Sequence, residues 1–486
     1  MISDLPPLRA AGPIATEVLE VIARQNARWG KNAAREASLD ALKRGAAAIV
    51  TGQQLGLGLG PLYTVHKAAS AIRLARELGA VPIFWLHSED HDFEEIRSLS
   101  WSVDGELRKA SLPERPSERA RTSIAHEHVG VGIDAVLDAL DGPFAARMRR
   151  HYVAGASLSD AFGGLVAELF APYGLLTFDP RDAAIAPLVA PLHARVLAEH
   201  DRLSEKLVQR VQAIEAAGGQ APIPIRAECA LSFFHPEGPE GPRYRIVPTT
   251  DGIALSGAKE TFSRDEVARR LEVSPLSFST SALLRPVMQD HLLPTAAYVG
   301  GPSEVAYGQQ LAPIYETLGV QPAPFVRRAS FVVTSPRDRE DLDALGLDVA
   351  RLAEPEDALV RALGRVPVTE AIDALAQSVA ASIAAMHGEL EALDPGLAKT
   401  AAKSEAAIAQ SFDKLRSRAE RAASTRDPAR LARLRRVLGA LRPGGAPQER
   451  VLGLPAIAAL DLDRVAEALV EHALDRPLGT LVELAL

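Results

Sequence analysis

The chain has 486 residues, 47% of them hydrophobic, enough for several cores and too long for one domain of ordinary size, so two or three domains are expected. Its formal net charge of −8 excludes a protein whose whole surface neutralises nucleic-acid phosphates or anionic lipid. The single cysteine, Cys229, excludes an internal disulfide, a four-thiolate zinc site and a Cys-x-x-Cys pair, leaving thiol chemistry to a substrate. The start, Met1 to Pro7, lacks a basic-then-apolar targeting pattern, and no apolar run approaches the ~20 residues that span a bilayer. A soluble cytoplasmic protein with no membrane partner is expected.

In chain order, Ala46 to Thr51 reads as a strand, Gly52 to Gly60 as a glycine loop, Pro61 to Leu78 as a helix and Val81 to Leu86 as a second strand. This βαβ unit, with its apolar second strand, predicts a parallel α/β sheet covered on both faces and functional groups at its carboxyl edge. A helix near Ser159 to Tyr173, a strand at Gly174 to Phe178 and a long helix from about Pro187 continue the pattern. Prolines, glycines and short alternating runs from Gly218 predict an inserted β-rich lobe. Tyr298-Val-Gly-Gly-Pro then repeats the strand-to-helix turn, with one helix expected over Glu304 to Leu318. Ile372, Leu375, Val379, Ile383, Met386, Leu390 and Leu393 recur at steps of three and four, predicting a long helix. Two more follow, broken at Asp394-Pro-Gly and Asp427-Pro428, making an antiparallel arm whose narrow apolar seam suits a second subunit. The expected division is residues 1–217 and 276–366 as a split core, 218–275 as the lobe, 367–450 as the arm and 451–486 as a C-terminal helical segment.

Three constellations carry chemistry. In Thr51-Gly-Gln-Gln-Leu-Gly-Leu-Gly-Leu-Gly-Pro-Leu-Tyr-Thr-Val-His66, glycines 52, 56, 58 and 60 allow close backbone approach, and Pro61 opens a helix whose first amides attract phosphate. Pro61-Leu-Tyr-Thr-Val-His66 partly overlays the Pro-x-His-x-Gly-His signature of class I adenylate-forming nucleotidyltransferases, keeping the second histidine. The other reading is a glycine turn with a helix-capping histidine. The second constellation, Glu89-Asp90-His91-Asp92 with Glu94 and Glu95, crowds carboxylates that need a cation, a bound amine or a shared proton, unless they form a solvated turn. In the third, Arg285 with Gln289-Asp290 precedes Tyr298-Val-Gly300-Gly301-Pro-Ser-Glu304 and Tyr307, offering an anion fork, another amide turn and a hydroxyl acceptor. Arg327 and Arg328 either complete the anion site or flank a strand. From Leu397 to Arg442, twelve Lys/Arg face four Asp/Glu, a stripe read as a solvated helical face or as a binding surface for phosphates or RNA.

Thr51-Gly-Gln-Gln with Gly60-Pro-Leu-Tyr-Thr, Phe84-Trp with Glu89-Asp-His-Asp-Phe, Leu284-Arg-Pro with Gln289-Asp, Tyr298-Val-Gly-Gly-Pro with Glu304 and Tyr307, and Gln448-Glu-Arg450 together resemble the cysteine-adding enzyme family of bacillithiol biosynthesis, BshC. The resemblance runs from about Gln25 to Arg450, with departures at Gly58-Leu59 and Thr280-Ser281. It implies a Rossmann-like core with inserted segments, a coiled-coil domain that forms a homodimer, and a ligase that joins L-cysteine to glucosaminyl-malate. ATP, or ADP as bound product, is the expected nucleotide, with Mg²⁺ as its companion; no transition metal and no nucleic acid is expected. His66, Asp90, His91 and Asp92 are assigned to catalysis. Gly52, Gln53, Gln54, Gly56, Gly60, Tyr63, Gly300, Gly301 and Glu304 are assigned to the nucleotide, and Glu89, Arg285, Gln289, Asp290 and Tyr307 to substrate. The competing readings are an RNA-linked class I-like nucleotidyltransferase and a non-catalytic nucleotide-sensing dimeric scaffold.

Overall fold

The computed structural model describes residues 6–486 apart from Ala11, Asp141 and Leu478. Most of the start read for targeting, Met1 to Leu5, lies outside the described residues. β1 (Ala48–Gln53) and β2 (Val81–Leu86) run parallel, in register from Ala48 opposite Val81 to Gln53 opposite Leu86. The helix Tyr63–Leu78 joins them and stops at Gly79, whose φ of 63° suits a residue without Cβ. Side-chain alternation splits β2 between two cores: Val81, Ile83 and Trp85 pack on one face with Val50 and Phe178, Phe84 and Leu86 on the other with Val65 and Phe162. Both faces are covered, which is why the strand reads as one apolar run.

β3 (Ser98–Val103) and β4 (Glu106–Ser111) form a hairpin turned by Asp104 and Gly105, both at positive φ. β5 (Leu176–Phe178) extends the main sheet beyond β2. Next come the lobe strands β6 (Ser232–Phe234), β7 (Tyr244–Thr249), β8 (Gly252–Leu255), β9 (Thr261–Ser263) and β10 (Phe278–Thr280), an antiparallel sheet ordered β10-β6-β7-β8-β9. The lobe sheet therefore runs on to Thr280, because β10 pairs with β6. β11 (Thr295–Gly300) and β12 (Phe325–Arg327) return to the core and complete a parallel sheet ordered β12-β11-β1-β2-β5. The chain winds outward from β1 to β5 and then back to β1's other side, so a crevice opens at the strands' carboxyl ends.

Three expectations are corrected. Glu304 to Leu318 is two helices, Pro302–Gly308 and Ala312–Leu318, because Pro313 has no N–H to continue the first. The C-terminal segment is helical only over Leu462–His472 in its longest run, and ends in β14 (Leu481–Ala485), parallel to β13 (Ser330–Thr334). Val482 and Leu484 point inward at every second position, a strand period. The arm is a pair of helices, Pro367–Leu393 and Pro395–Ser424. The third, Pro428–Leu441, returns to the body and buries Leu434, Val437 and Leu441 against Leu342, Leu345 and Leu359. No helix among the described residues is long and apolar enough to cross a membrane.

Candidate functional site

The carboxyl end of β2 and the overlying lobe enclose a cavity of about 280 Å³, with Trp85, His87, Glu89, Asp90, His91 and Arg285 on the core side. Arg243, Arg245, Phe233 and Thr280 line the lobe side. The loop after β2 is held from three directions. The Ser88 carbonyl accepts from the Ser123 hydroxyl at 2.7 Å and the Ala125 amide at 2.9 Å, and the Ser88 hydroxyl bonds Asp179 at the end of β5. The Asp90 carbonyl accepts from the Ile124 amide at 2.7 Å. Glu89, Asp90 and His91 therefore project from a fixed backbone.

Arginines set both histidine tautomers. Arg285 Nη1 lies 2.7 Å from His87 Nδ1, and Arg243 Nη1 lies 3.2 Å from His91 Nδ1. Arginine only donates, so each Nδ1 accepts and each Nε2 carries the proton. Burial and the adjacent cations push His91 down to about 4 and His87 well below its ordinary value, so both rings are neutral near pH 7. His91, assigned to catalysis from the sequence, thus presents a hydrogen-bond donor at Nε2. The two carboxylates diverge. Burial raises Glu89, whose Oε2 accepts from the Thr280 hydroxyl, whereas Asp90 is lowered, Arg243 and the Gln54 amide (2.8 Å) outweighing its desolvation. Neighbouring acids pushed apart in this way fit a proton acceptor beside a permanent anion. Asp92 is exposed and caps the short helix Phe93–Ile96, outside the cavity wall.

The glycine loop does not form the expected phosphate cradle. Leu55, Leu57 and Leu59 are buried in the core, and three glycine amides of the loop have partners: Gly56 donates to Gln54, Gly58 to the Tyr152 hydroxyl at 3.0 Å, and Gly60 to Leu57. The glycines serve the loop's own packing. A Cβ on Gly56 would stand 2.9 Å from Gly60 Cα, and one on Gly52 would stand 2.7 Å from His87 Nε2. Leu62, just before the helix, donates to Leu452, and Pro61 bridges Gly453, so a C-terminal segment covers this end of the helix.

His66 is fully buried and absent from the cavity wall; its Nδ1 lies 2.8 Å from Glu449, which also receives both Nη atoms of Arg328 at 2.7 and 2.6 Å. It joins the core to residue 449, and its Nε2 is buried without a hydrogen-bond partner. Gln289 and Asp290 are likewise buried off the cavity, with Asp290 accepting from the Tyr315 hydroxyl at 2.7 Å and the Ala323 amide at 2.8 Å. Glu304 accepts from Gly301 N at 2.8 Å and Tyr298 at 2.6 Å and pairs with Lys67, leaving the Gly300-Gly301 turn closed on itself. Gln53 is bonded to Lys67 at 2.9 Å and lies 3.5 Å from Tyr63. Tyr307 accepts from Arg285 Nη2 at 2.7 Å, orienting that arginine.

No role was legible in the sequence for Arg243, Arg245, Lys67 or Glu449. Arg243 and Arg245 stand two apart, the spacing of one strand face, and both guanidinium groups stack on Phe233, at 3.8 and 4.9 Å from its centroid. Part of the basic stripe is paired: Arg416 with Asp373, Arg421 with Asp357 and Arg436 with Asp341, while Arg430 donates to the carbonyls of Leu345 and Leu363.

Residues 9–329 match the family model described as the N-terminal Rossmann-like domain of bacillithiol biosynthesis BshC, and residues 331–461 match that of its C-terminal coiled-coil domain. The chain belongs to the BshC family. A relative from Koribacter versatilis, named "Putative cysteine ligase BshC", is 32% identical over 92% of this chain and 86% of its own. Relatives of the same name from Salinibacter ruber (32% identical over 92% and 84%) and Geobacillus thermodenitrificans (30% over 87% and 82%) are similar along nearly their whole length. The Rossmann-like and coiled-coil division of the family agrees with the parallel sheet and the long helices described above.

Proposed function

We propose that this protein is a cytoplasmic ATP-dependent ligase that joins L-cysteine to the amine of glucosaminyl-malate, with the cavity between the sheet edge and the lobe as its site. The observation that carries this reading is the pairing of Glu89, raised, with Asp90, lowered, on one cavity wall facing arginines on the other. Asp90 stays ionised and suits an ammonium, as on cysteine; Glu89 suits a proton acceptor. The cysteine carboxylate attacks the α-phosphorus of ATP, the P–O bond to pyrophosphate breaks, and the carboxyl is carried as an acyl adenylate. The acceptor amine then attacks that carbonyl, the C–N bond forms, the phosphate-bearing group leaves, and Glu89 takes the amine's proton. The Nε2–H groups of His87 and His91 are placed to steady negative charge as it builds.

Mg²⁺ accompanying ATP needs only one or two protein carboxylates. Among the described residues no cluster of three or more metal-ligating side chains is present, and Glu95, raised by desolvation with Asp90 and Asp92 nearby, is a carboxylate that would hold the cation. The long arm helices leave Leu375, Met386 and Leu393 exposed, which supports a homodimer through the arm; a hydrodynamic mass of one chain would contradict it. The function is tested by incubating the protein with ATP, cysteine and glucosaminyl-malate and following by mass spectrometry a product equal to both substrates less one water. No such product, with nucleotide unconsumed, would sink the ligase reading.

A further inference from the structure

The cavity has two chemically distinct ends. Glu89 and Asp90 occupy the sheet end, while Arg226 and Arg245 line the lobe end beside Ile223, Ile225 and Cys229. Most cations around the cavity are already committed. Arg285 gives its two Nη atoms to His87 and Tyr307, and Arg243 is buried between Asp90, the Thr280 carbonyl and the Ser279 hydroxyl. Arg226 and Arg245, by contrast, make no side-chain hydrogen bond or ion pair among the described residues. The positive charge of Arg226 and the negative charge of Glu228 both act on Arg245, and a further anion between the two guanidinium groups would relieve the repulsion that remains. Stacking on Phe233 holds Arg245 in place, so its planar fork is preorganised for a carboxylate.

We infer that Arg226 and Arg245 form the subsite for the dicarboxylate end of the acceptor, and so determine that the enzyme takes a malyl glucosaminide in preference to an uncharged one. The inference rests on the ligase reading and deepens it. An acceptor bound with its amine at Glu89 extends its other end toward the lobe, where these are the uncommitted cations. Arg285, assigned to substrate from the sequence, orients His87.

The test is calorimetric binding without ATP, using glucosaminyl-malate and methyl glucosaminide as probes, on the full-length wild type and on Arg226→Met, Arg245→Met and Arg245→Lys. The wild type is expected to bind the malyl compound about ten- to hundred-fold more tightly than the methyl compound, the range for a charge-assisted contact. Each Met variant is expected to lose most of that ratio while its affinity for the methyl compound stays within about two-fold, and Arg245→Lys to recover part of it. In turnover the loss should fall on KM for the acceptor, with KM for ATP and cysteine unmoved. Unaltered thermal midpoints separate this from misfolding. A wild type that discriminates and Met variants that discriminate equally well would overturn the subsite and leave the ligase reading standing. A wild type that turns over neither acceptor would overturn both.

Discussion

Arg285 Nη1 donates to His87 Nδ1 at 2.7 Å, and its Nη2 reaches the Tyr307 hydroxyl at the same distance, so one guanidinium fixes the tautomer of a ring standing over Gly52. Lysine at this position offers a single point charge where two divergent donors are used. Arg285→Lys is therefore expected to lower kcat by about ten-fold or more, the scale of a lost preorganised donor, with little change in unfolding free energy. Steady-state kinetics beside a denaturant titration would check it; an unchanged kcat would remove His87 from the chemistry.

The divergence of Glu89 and Asp90 predicts a pH profile. A base must be ionised, and burial places Glu89 above its ordinary value near 4.3. Activity should therefore rise with pH through a limb displaced upward from that value. Asp90, lowered, and His91, near 4 and needed neutral, should contribute no limb above it. Glu89→Gln should abolish the limb and reduce kcat by roughly 10²- to 10⁴-fold, the ordinary contribution of a general base. A profile for Glu89→Gln that keeps the wild-type limb would assign the proton transfer elsewhere.

Glu449 links three distant parts of the chain: His66 in the first helical connection, Arg328 after β12, and its own segment before the C-terminal helix. Its pKa is lowered to about 2, the His66 and Arg328 bonds outweighing burial. A depressed carboxylate contributes stability in full above its unfolded value, and that contribution is lost as pH falls from about 4.3 toward 2. Glu449→Gln leaves Arg328 buried without its counter-charge and should cost about 3–5 kcal/mol at neutral pH. The variant should also lose less stability than wild type between pH 4.3 and 2. Urea unfolding across that range measures both, and equal acid sensitivity would show that Glu449 is not the group responsible.

Gly58 separates the two readings of the glycine loop. At φ 58° its Cβ would lie 2.9 Å from Leu99 Cδ2 and 3.1 Å from Met148 Sδ. Gly58→Ala should destabilise by roughly 1–3 kcal/mol through strain and overpacking, while KM for ATP in the remaining folded enzyme stays unchanged. A selective rise in KM for ATP at full stability would restore the loop as a phosphate cradle.

These cases show what was legible in the chain. β2 was read with its bounds correct because burial on both faces writes an uninterrupted apolar run between turn residues. The Glu89–His91 cluster was legible because crowded acids after a central strand are costly without a use. Glycine was ambiguous: backbone approaching a ligand and backbone approaching itself ask for the same residue. Leu55, Leu57 and Leu59 at alternate positions were the overlooked sign of burial. His66 was misplaced because its partner Glu449 lies 383 positions away, and no local pattern announces such a bond. Arg243 and Arg245 hid in a turn-rich stretch that read only as lobe, although their spacing already put them on one face.

The most direct test of the cavity as the place of amide formation is the rate of product appearance from ATP, cysteine and glucosaminyl-malate in wild type, Asp90→Asn and Glu89→Gln. The account predicts a cysteinyl product from wild type, a raised KM for cysteine in Asp90→Asn, and a collapse of kcat in Glu89→Gln. Wild-type rates and KM values in both variants, with folding intact, would contradict it.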